Sequence, residues 1–207
     1  MLDLALLAAF WAAFLLALVS PGPNFAVIAG TALREGRRRA LGTAFGLAGG
    51  EAVWAIGAVL GVSALAAQHP LLSEALRIGG GAFLLFLGLS SLWAALRRTD
   101  ALAPVGPMPE ATGGTGFWRG FGLMLLNPKA GVFWVSLSGL FLGAAGGTTA
   151  AAAVMSAVAL SFLWHGALAW MLSAQAVARA FRRVRRGLDA AFGVVMTALG
   201  LRLLAPS

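Results

Sequence analysis

Ser20-Pro21-Gly22-Pro23-Asn24 cuts one long apolar run of this chain, and Asn127-Pro128-Lys129-Ala130 cuts another at the corresponding place in the second half. Proline inside a helix removes a backbone hydrogen bond and crowds the preceding turn, so each stretch leaves carbonyls without an intrahelical partner. In hydrocarbon those groups must be satisfied within the protein. A single break has an ordinary explanation, a kink healed by the side chains of Ser20, Asn24 or Asn127. Two breaks at matching positions point further, because paired discontinuous helices are how many membrane transporters present helix ends to a substrate.

The text around both breaks is apolar enough for a bilayer. Of 207 residues, 60% are apolar and 11% charged, and the apolar runs reach the roughly 20 residues that a helix needs to cross the hydrocarbon core. Spans fall near 4–33, 40–64, 71–96, 118–142, 150–178 and 187–205. The abundance of Ala, Leu and Gly, the absence of Tyr and the lack of an alternating pattern of about 10 residues argue for helices and against a barrel. The expected fold is an all-α integral membrane protein with six transmembrane helices, of which helices 1 and 4 are broken. The chain opens Met1-Leu2-Asp3 without the basic n-region of a signal peptide, so the first run is expected to stay as a helix.

The formal charge of +8 does not imply nucleic acid, because each arginine cluster abuts an apolar run and reads as cytoplasmic loop charge. Arg34, Arg37, Arg38 and Arg39, then Arg97, Arg98 and Arg119, then Arg179, Arg182, Arg183, Arg185 and Arg186 all fall on one side. Only Arg77 and Arg202 fall on the other, and Lys129 lies within a span. The positive-inside rule then puts both termini outside the cytoplasm. A Pro- and Gly-rich segment, Thr99 to Thr115, reads as a cytoplasmic linker and divides the chain into 1–98, a linker over 99–116, and 117–207. Three helices per half make the second half enter the membrane from the opposite face, which predicts two inverted three-helix repeats.

Gly42, Gly46 and Gly50 line one face of helix 2, extended by Gly57 and Gly61. With Gly79-Gly80-Gly81 and Gly88 in helix 3, and Gly193 and Gly200 in helix 6, they predict close-packed seams. The seams serve packing within the chain and leave a homo-oligomer open. Trp93 and Trp118, near span ends, fit interfacial anchoring, whereas Trp54, Trp134 and Trp164 fit either a cavity lining or plain packing. The chain has no cysteine, which excludes disulfides, thiolate metal sites and thiol catalysis. No cofactor, metal site or catalytic residue is expected.

Three ionisable groups sit at midplane depth. Lys129 lies too deep in the fourth span for its stem to reach an interface, so its ammonium needs a partner: carbonyls of the broken helix, or a substrate carboxylate. Glu51 follows Gly49-Gly50 in mid-span and reads as the only carboxylate far from any span end. Such a group carries a proton, binds a cationic substrate group, or pairs structurally with Lys129. His165 lies mid-span in helix 5, the counterpart of helix 2. A lone histidine is commonly a packing residue, yet its correspondence with Glu51 marks it for a proton role.

With the Pro-Gly-Pro break, the loop Arg34-Glu35-Gly36-Arg37, the Gly42-x-x-x-Gly46-x-x-x-Gly50-Glu51 helix and Asn127-Pro128-Lys129-Ala130, the chain resembles the LysE/RhtB family of amino-acid exporters. The resemblance spans nearly the whole sequence. It implies a protein of the bacterial inner membrane that expels amino acids or close derivatives, coupled to protons. By that resemblance Pro21, Gly22, Pro23, Asn24, Asn127, Pro128 and Lys129 match signature positions. Glu51 takes the place of an acidic residue that is Asp in many relatives, a departure that changes reach. His165 matches no motif of the family.

The mechanism expected from these residues is alternating access around a midplane site. The helix ends at Ser20–Asn24 and Asn127–Lys129 would engage the substrate carboxylate, and Glu51 would receive the substrate ammonium or a proton. Two rivals are weaker. An intramembrane serine protease would need Ser138 beside His165 and an oxyanion hole, and a non-transporting scaffold leaves the midplane charges unexplained.

Overall fold

The computed structural model describes residues 3–20, 22–68, 70–97, 116–142, 145–172 and 175–205, and every regular element in them is helical. In chain order these are α1 (Leu4–Val19), α2 (Pro23–Glu35), α3 (Arg37–Gln68), α4 (Pro70–Leu96), α5 (Gly116–Leu125), α6 (Pro128–Phe141), α7 (Gly147–Leu172) and α8 (Gln175–Leu204). Local chemistry sets several boundaries. Asp3 caps α1 by accepting from the Leu6 amide at 3.0 Å. Pro23 and Pro128 each open a helix, the one interior-free position where a missing N–H costs nothing. Between α2 and α3 stands Gly36 alone, at φ 86°, a left-handed conformation that glycine adopts without a Cβ penalty.

Four helices, α3, α4, α7 and α8, contain stretches long and apolar enough to cross a membrane. The remaining helices form two bent pairs, α1 with α2 at 43° and α5 with α6 at 61°, and counting each pair as one broken span gives six. The breaks fall at Ser20–Gly22 and Leu126–Asn127, where the two proline motifs put them.

Glycines set the close crossings. A Cβ on Gly46 would lie 1.9 Å from the Phe117 carbonyl oxygen, and one on Gly120 would lie 2.0 Å from that of Thr43, so α3 and α5 touch backbone to backbone. Gly42 and Gly50 extend this seam onto Phe117 and Met124. No described atom comes within 4 Å of a Cβ at Gly57 or Gly61, so the seam expected to continue there ends at Gly50. The second crossing joins α4 to α8: Gly81 meets Gly200 and Gly88 meets Gly193, an order that makes the helices antiparallel. Arg37, opening α3, lies over the ring of Trp170 near the end of α7, at 5.3 Å, so these two are antiparallel as well.

Two apolar clusters fill the interior. One gathers Phe10 and Phe14 of α1 with Trp134 and Phe141 of α6, the rings of Phe14 and Trp134 being 5.4 Å apart. The other gathers Phe25 and Ile28 of α2, Leu47 of α3, Met124 of α5 and Leu168 and Leu172 of α7. Charged groups bind the helix ends. Arg119 of α5 donates to Glu35 at 2.7 Å, with Arg39 of α3 at 3.7 Å from the same carboxylate. At the start of α4, Arg77 donates to Glu74 at 2.6 Å and to the carbonyls of Leu203 and Ala205 at the end of α8, at 2.6 and 3.0 Å.

Three boundary expectations are corrected. The loop read at Arg34–Arg39 shrinks to Gly36, because arginine is a good helix former and the helices run up to the joint on both sides. The basic segment Arg179–Arg186, read as a loop between spans, belongs to α8, which begins at Gln175. The fifth span, read to 178, ends at Leu172. The expected linker lies outside the described residues, except Gly116, which opens α5.

Candidate functional site

A cavity of about 150 Å³ lies where the two apolar clusters meet, walled by Phe133 and Trp134 on one side and Phe25, Met124 and Leu168 on the other. Of the residues singled out in the sequence, Ser20, Gly22, Pro23, Asn24, Glu51, Asn127, Lys129 and His165 all line it. Both helix breaks therefore open onto one space. Pro128 does not contribute to the wall, and Pro21 lies outside the described residues.

The second break is healed by named donors. The Met124 carbonyl would pair in an unbroken helix with the amide of residue 128, a proline without N–H. Instead it accepts from the Asn127 amide and from the indole Nε1 of Trp54 on α3, each at 3.1 Å. Asn127 also caps α6, its side-chain oxygen accepting from the Lys129 amide at 3.0 Å. The Trp54 ring lies flush on α6, since a Cβ on Gly131 would fall 2.6 Å from it. Trp54, read as a cavity lining or packing residue, is thus the clamp of the second break.

The first break is more open. The Ser20 amide donates to the Leu16 carbonyl at 3.0 Å. Prolines at 21 and 23 deprive the carbonyls of Ala17 and Val19 of their helical donors, and both residues line the cavity. At the start of α2 the N-cap is Gly22, so no side chain covers the first turn, and the positive end of the helix dipole lies at the wall.

Glu51 is tied to α7. The Ser161 hydroxyl donates to Glu51 Oε2. Nδ1 of His165, one turn further along α7, lies 3.1 Å from Ser161 Oγ and 2.9 Å from the Ser161 carbonyl oxygen. A carbonyl can only accept, so Nδ1 carries the hydrogen and Nε2 is the nitrogen left to take a proton. Ser161 and His165 are buried at 0% and 3% exposure. The result is a continuous hydrogen-bonded row from imidazole through hydroxyl to carboxylate.

Among the described residues no ion pair joins Glu51 to Lys129, and a second interior carboxylate is Asp189 of α8. Asp189 is 8% exposed and lines the same cavity. Glu51 is accordingly not the only interior carboxylate. Asp189 was masked in the sequence by the arginine run before it, which made it look like a span end. The signal that finds it is that it is the sole acidic residue after Glu110. Ser161 was missed too; its trace is its spacing of four residues from His165 on one helix face.

Ser138 and His165 are not brought together. The Ser138 hydroxyl is buried without a hydrogen-bond partner, whereas the His165 Nδ1 is bonded to Ser161. A protease dyad is therefore absent among the described residues. Trp134 and Trp164 do line the cavity, and the indole N–H of Trp134 is buried without an acceptor. Trp93 and Trp118 are more than half exposed, as anchors at a span end would be.

Comparison with known proteins fits this geometry. The chain is 30% identical over 191 residues to a threonine efflux protein of Escherichia coli strain K12, covering 92% of this chain and 93% of that one. It is 32% identical over 158 residues to a leucine efflux protein of Enterobacter sp. strain 638, covering 74% of this chain and 73% of that one. A leucine efflux protein of Klebsiella pneumoniae is 26% identical over 187 residues, covering 88% and 87%. No solved structure matches. The LysE type translocator family matches residues 15–207, both helix breaks and the whole cavity included, and the chain belongs to that family of multi-pass membrane translocators, not to the enzymes.

Proposed function

We propose that the protein exports amino acids or close derivatives from the cytoplasm by proton antiport, through alternating access to the cavity. What carries this reading is the charge pattern of one small space: an ammonium, Lys129, two carboxylates, Glu51 and Asp189, and two broken-helix ends. A zwitterion needs both signs of charge within a few ångströms, and its carboxylate suits Lys129 with the helix N-termini at Gly22–Asn24 and Asn127. The threonine and leucine efflux activities named for the relatives support the same substrate class.

Glu51 couples the proton. Held by Ser161 and in line with His165, it carries a proton in one state and a negative charge in the other. A unit charge about 4 Å away acts with roughly 4 kcal/mol at an effective dielectric of 20, an upper figure for a wet site. Proton and substrate cation therefore compete for the same negative charge, and that competition is antiport.

Alternating access is supported by the packing. An inverted repeat relates α3 to α7 and α4 to α8 by a two-fold axis in the membrane plane, so each such pair must be antiparallel, as both are. The repeats are 1–98 and 117–207. By its resemblance to the family the membrane is the bacterial inner membrane, and by the arginine distribution both termini lie outside the cytoplasm.

The test is reconstitution of the full chain into proteoliposomes, with efflux of threonine, leucine and then the other amino acids measured under an imposed pH gradient. Wild type should move substrate against its gradient, and Glu51→Gln should only equilibrate it. Full proton-driven efflux by Glu51→Gln sinks the coupling scheme.

A further inference from the structure

We propose that the proton reaches and leaves Glu51 from the α7 side, along the row His165, Ser161, Glu51, with the Ser161 hydroxyl as the necessary link. The inference rests on the antiport reading above and deepens it, by giving the proton a route separate from that of the substrate.

The Ser161 hydroxyl is turned away from its usual partner. A serine or threonine hydroxyl in a membrane helix commonly bonds the carbonyl four residues back, and Thr31, Ser136 and Ser156 do so here at 2.8, 2.7 and 2.7 Å. Ser161 instead donates across to Glu51 Oε2 on α3, and its oxygen faces His165 Nδ1 at 3.1 Å. Ser161 is fully buried and does not contribute to the cavity wall, whereas Glu51 and His165 both line the cavity. A hydroxyl so placed has the carboxylate on one side and the imidazole on the other as its proton partners. The remaining ionisable side chains on the wall are Lys129 of α6 and Asp189 of α8.

The row can pass a proton either way without leaving an ion on the serine. When His165 Nε2 takes up a proton and Glu51 is a carboxylate, the Nδ1–H bond breaks as a bond forms from that hydrogen to Ser161 Oγ. The former hydroxyl hydrogen passes to Glu51 Oε2. His165 is left neutral with its hydrogen on Nε2, Ser161 is again a hydroxyl, and Glu51 is a neutral carboxyl. Every member stays hydrogen-bonded, the carboxyl now donating to Oγ and Oγ to Nδ1. The reverse passage empties Glu51 and releases the proton from Nε2. The Ser161 carbonyl, 2.9 Å from Nδ1, accepts from that nitrogen only in the emptied state, so this contact draws the proton back off Glu51. A substrate ammonium approaches Glu51 from the cavity while the proton departs toward α7, and the proton need not cross the space that the substrate fills.

The experiment uses the full chain in proteoliposomes with threonine and leucine, then the other amino acids. It compares efflux driven by an imposed pH gradient, with proton entry followed by an enclosed pH dye, against substrate exchange without a gradient, which needs no proton transfer. The ratio of driven efflux to exchange should fall about tenfold or more in Ser161→Ala. A positioned proton-transfer group is worth about a hundredfold or more, of which a rate-limiting conformational step hides part. Ser161→Thr should restore most of the ratio and Ser161→Val, its equal in shape without the hydroxyl, should not. His165→Gln, which takes up no second proton, should match Ser161→Ala. A ratio kept by Ser161→Ala or by His165→Gln overturns the inference, as does equal behaviour of the Thr and Val variants. Should Ser161→Thr not give monodisperse protein, Ser161→Ala and His165→Gln decide together: equal falls support one row, and a fall in one alone overturns it. A wild type that moves none of the twenty amino acids, or a Glu51→Gln protein with full driven efflux, overturns the transport reading itself.

Discussion

Gly46→Ala adds one methyl group where α3 and α5 meet backbone to backbone. The new Cβ would stand 1.9 Å from the Phe117 carbonyl oxygen and 2.7 Å from the Phe121 amide nitrogen, where ordinary contact begins at 3.4 Å. Restoring contact requires α5 to retreat by 3.4 − 1.9 = 1.5 Å. No rotamer change can relieve a clash with main-chain atoms, so the cost belongs at the upper end of overpacking, about 3 kcal/mol. Alanine also gains about 1 kcal/mol of helix propensity over glycine. The clash wins, with a net loss of about 2 kcal/mol. At Gly57 no described atom lies within 4 Å, and propensity is the only effect. Gly57→Ala should therefore match or slightly exceed wild type. Thermal denaturation of purified protein in detergent, followed by tryptophan fluorescence, should place Gly46→Ala about 9 °C below Gly57→Ala, the two differing by about 3 kcal/mol. A Gly46→Ala protein that melts with Gly57→Ala would refute the close crossing. Because α5 carries Met124 and the second break, the same retreat should also slow transport.

Trp54→Phe keeps most of the ring but removes the donor to the Met124 carbonyl. It should cost about 1–3 kcal/mol, the penalty of an under-satisfied buried acceptor, and lower the transport rate; unchanged melting and transport would show that the Asn127 amide alone heals the break. Glu74→Gln probes the outer tie. The hydrogen bond from Arg77 holds the Glu74 carboxyl below its ordinary range, outweighing the opposing effect of desolvation, and the Coulomb attraction of the same guanidinium adds to it. A carboxylate with a lowered folded pKa adds stability above its unfolded pKa and loses it as pH falls through the folded value. The variant should melt below wild type at neutral pH, with the gap closing as pH falls below the ordinary glutamate range. A gap independent of pH would contradict the pairing.

The broken spans were legible because proline leaves an unambiguous mark in an apolar run, and their common cavity followed from symmetry. Eight of the ten residues read as functional meet there, which sequence could suggest only through depth in the membrane. What stayed hidden was partnership. Asp189 could not be placed on the cavity wall from sequence, since α8 begins at Gln175 and carries it inward from an apparent span end. Ser161 looked like any serine in a membrane helix, where the hydroxyl commonly bonds its own backbone. Trp54 showed bulk but not direction. Its indole N–H replaces the amide that Pro128 lacks, a contact between residues 70 positions apart.

Gly36 joins α2 to α3 without a loop, so the two helices meet as rods at a pin. Such a joint has no slack to absorb movement. Glu51 lies fifteen residues along α3 from Gly36, a lever arm of about 22 Å at 1.5 Å per residue. A tilt of about 5° at the pin would carry that carboxylate roughly 2 Å, about the difference between a hydrogen bond and none. A small rotation at this joint would thus be read at the cavity as the making or breaking of a single bond.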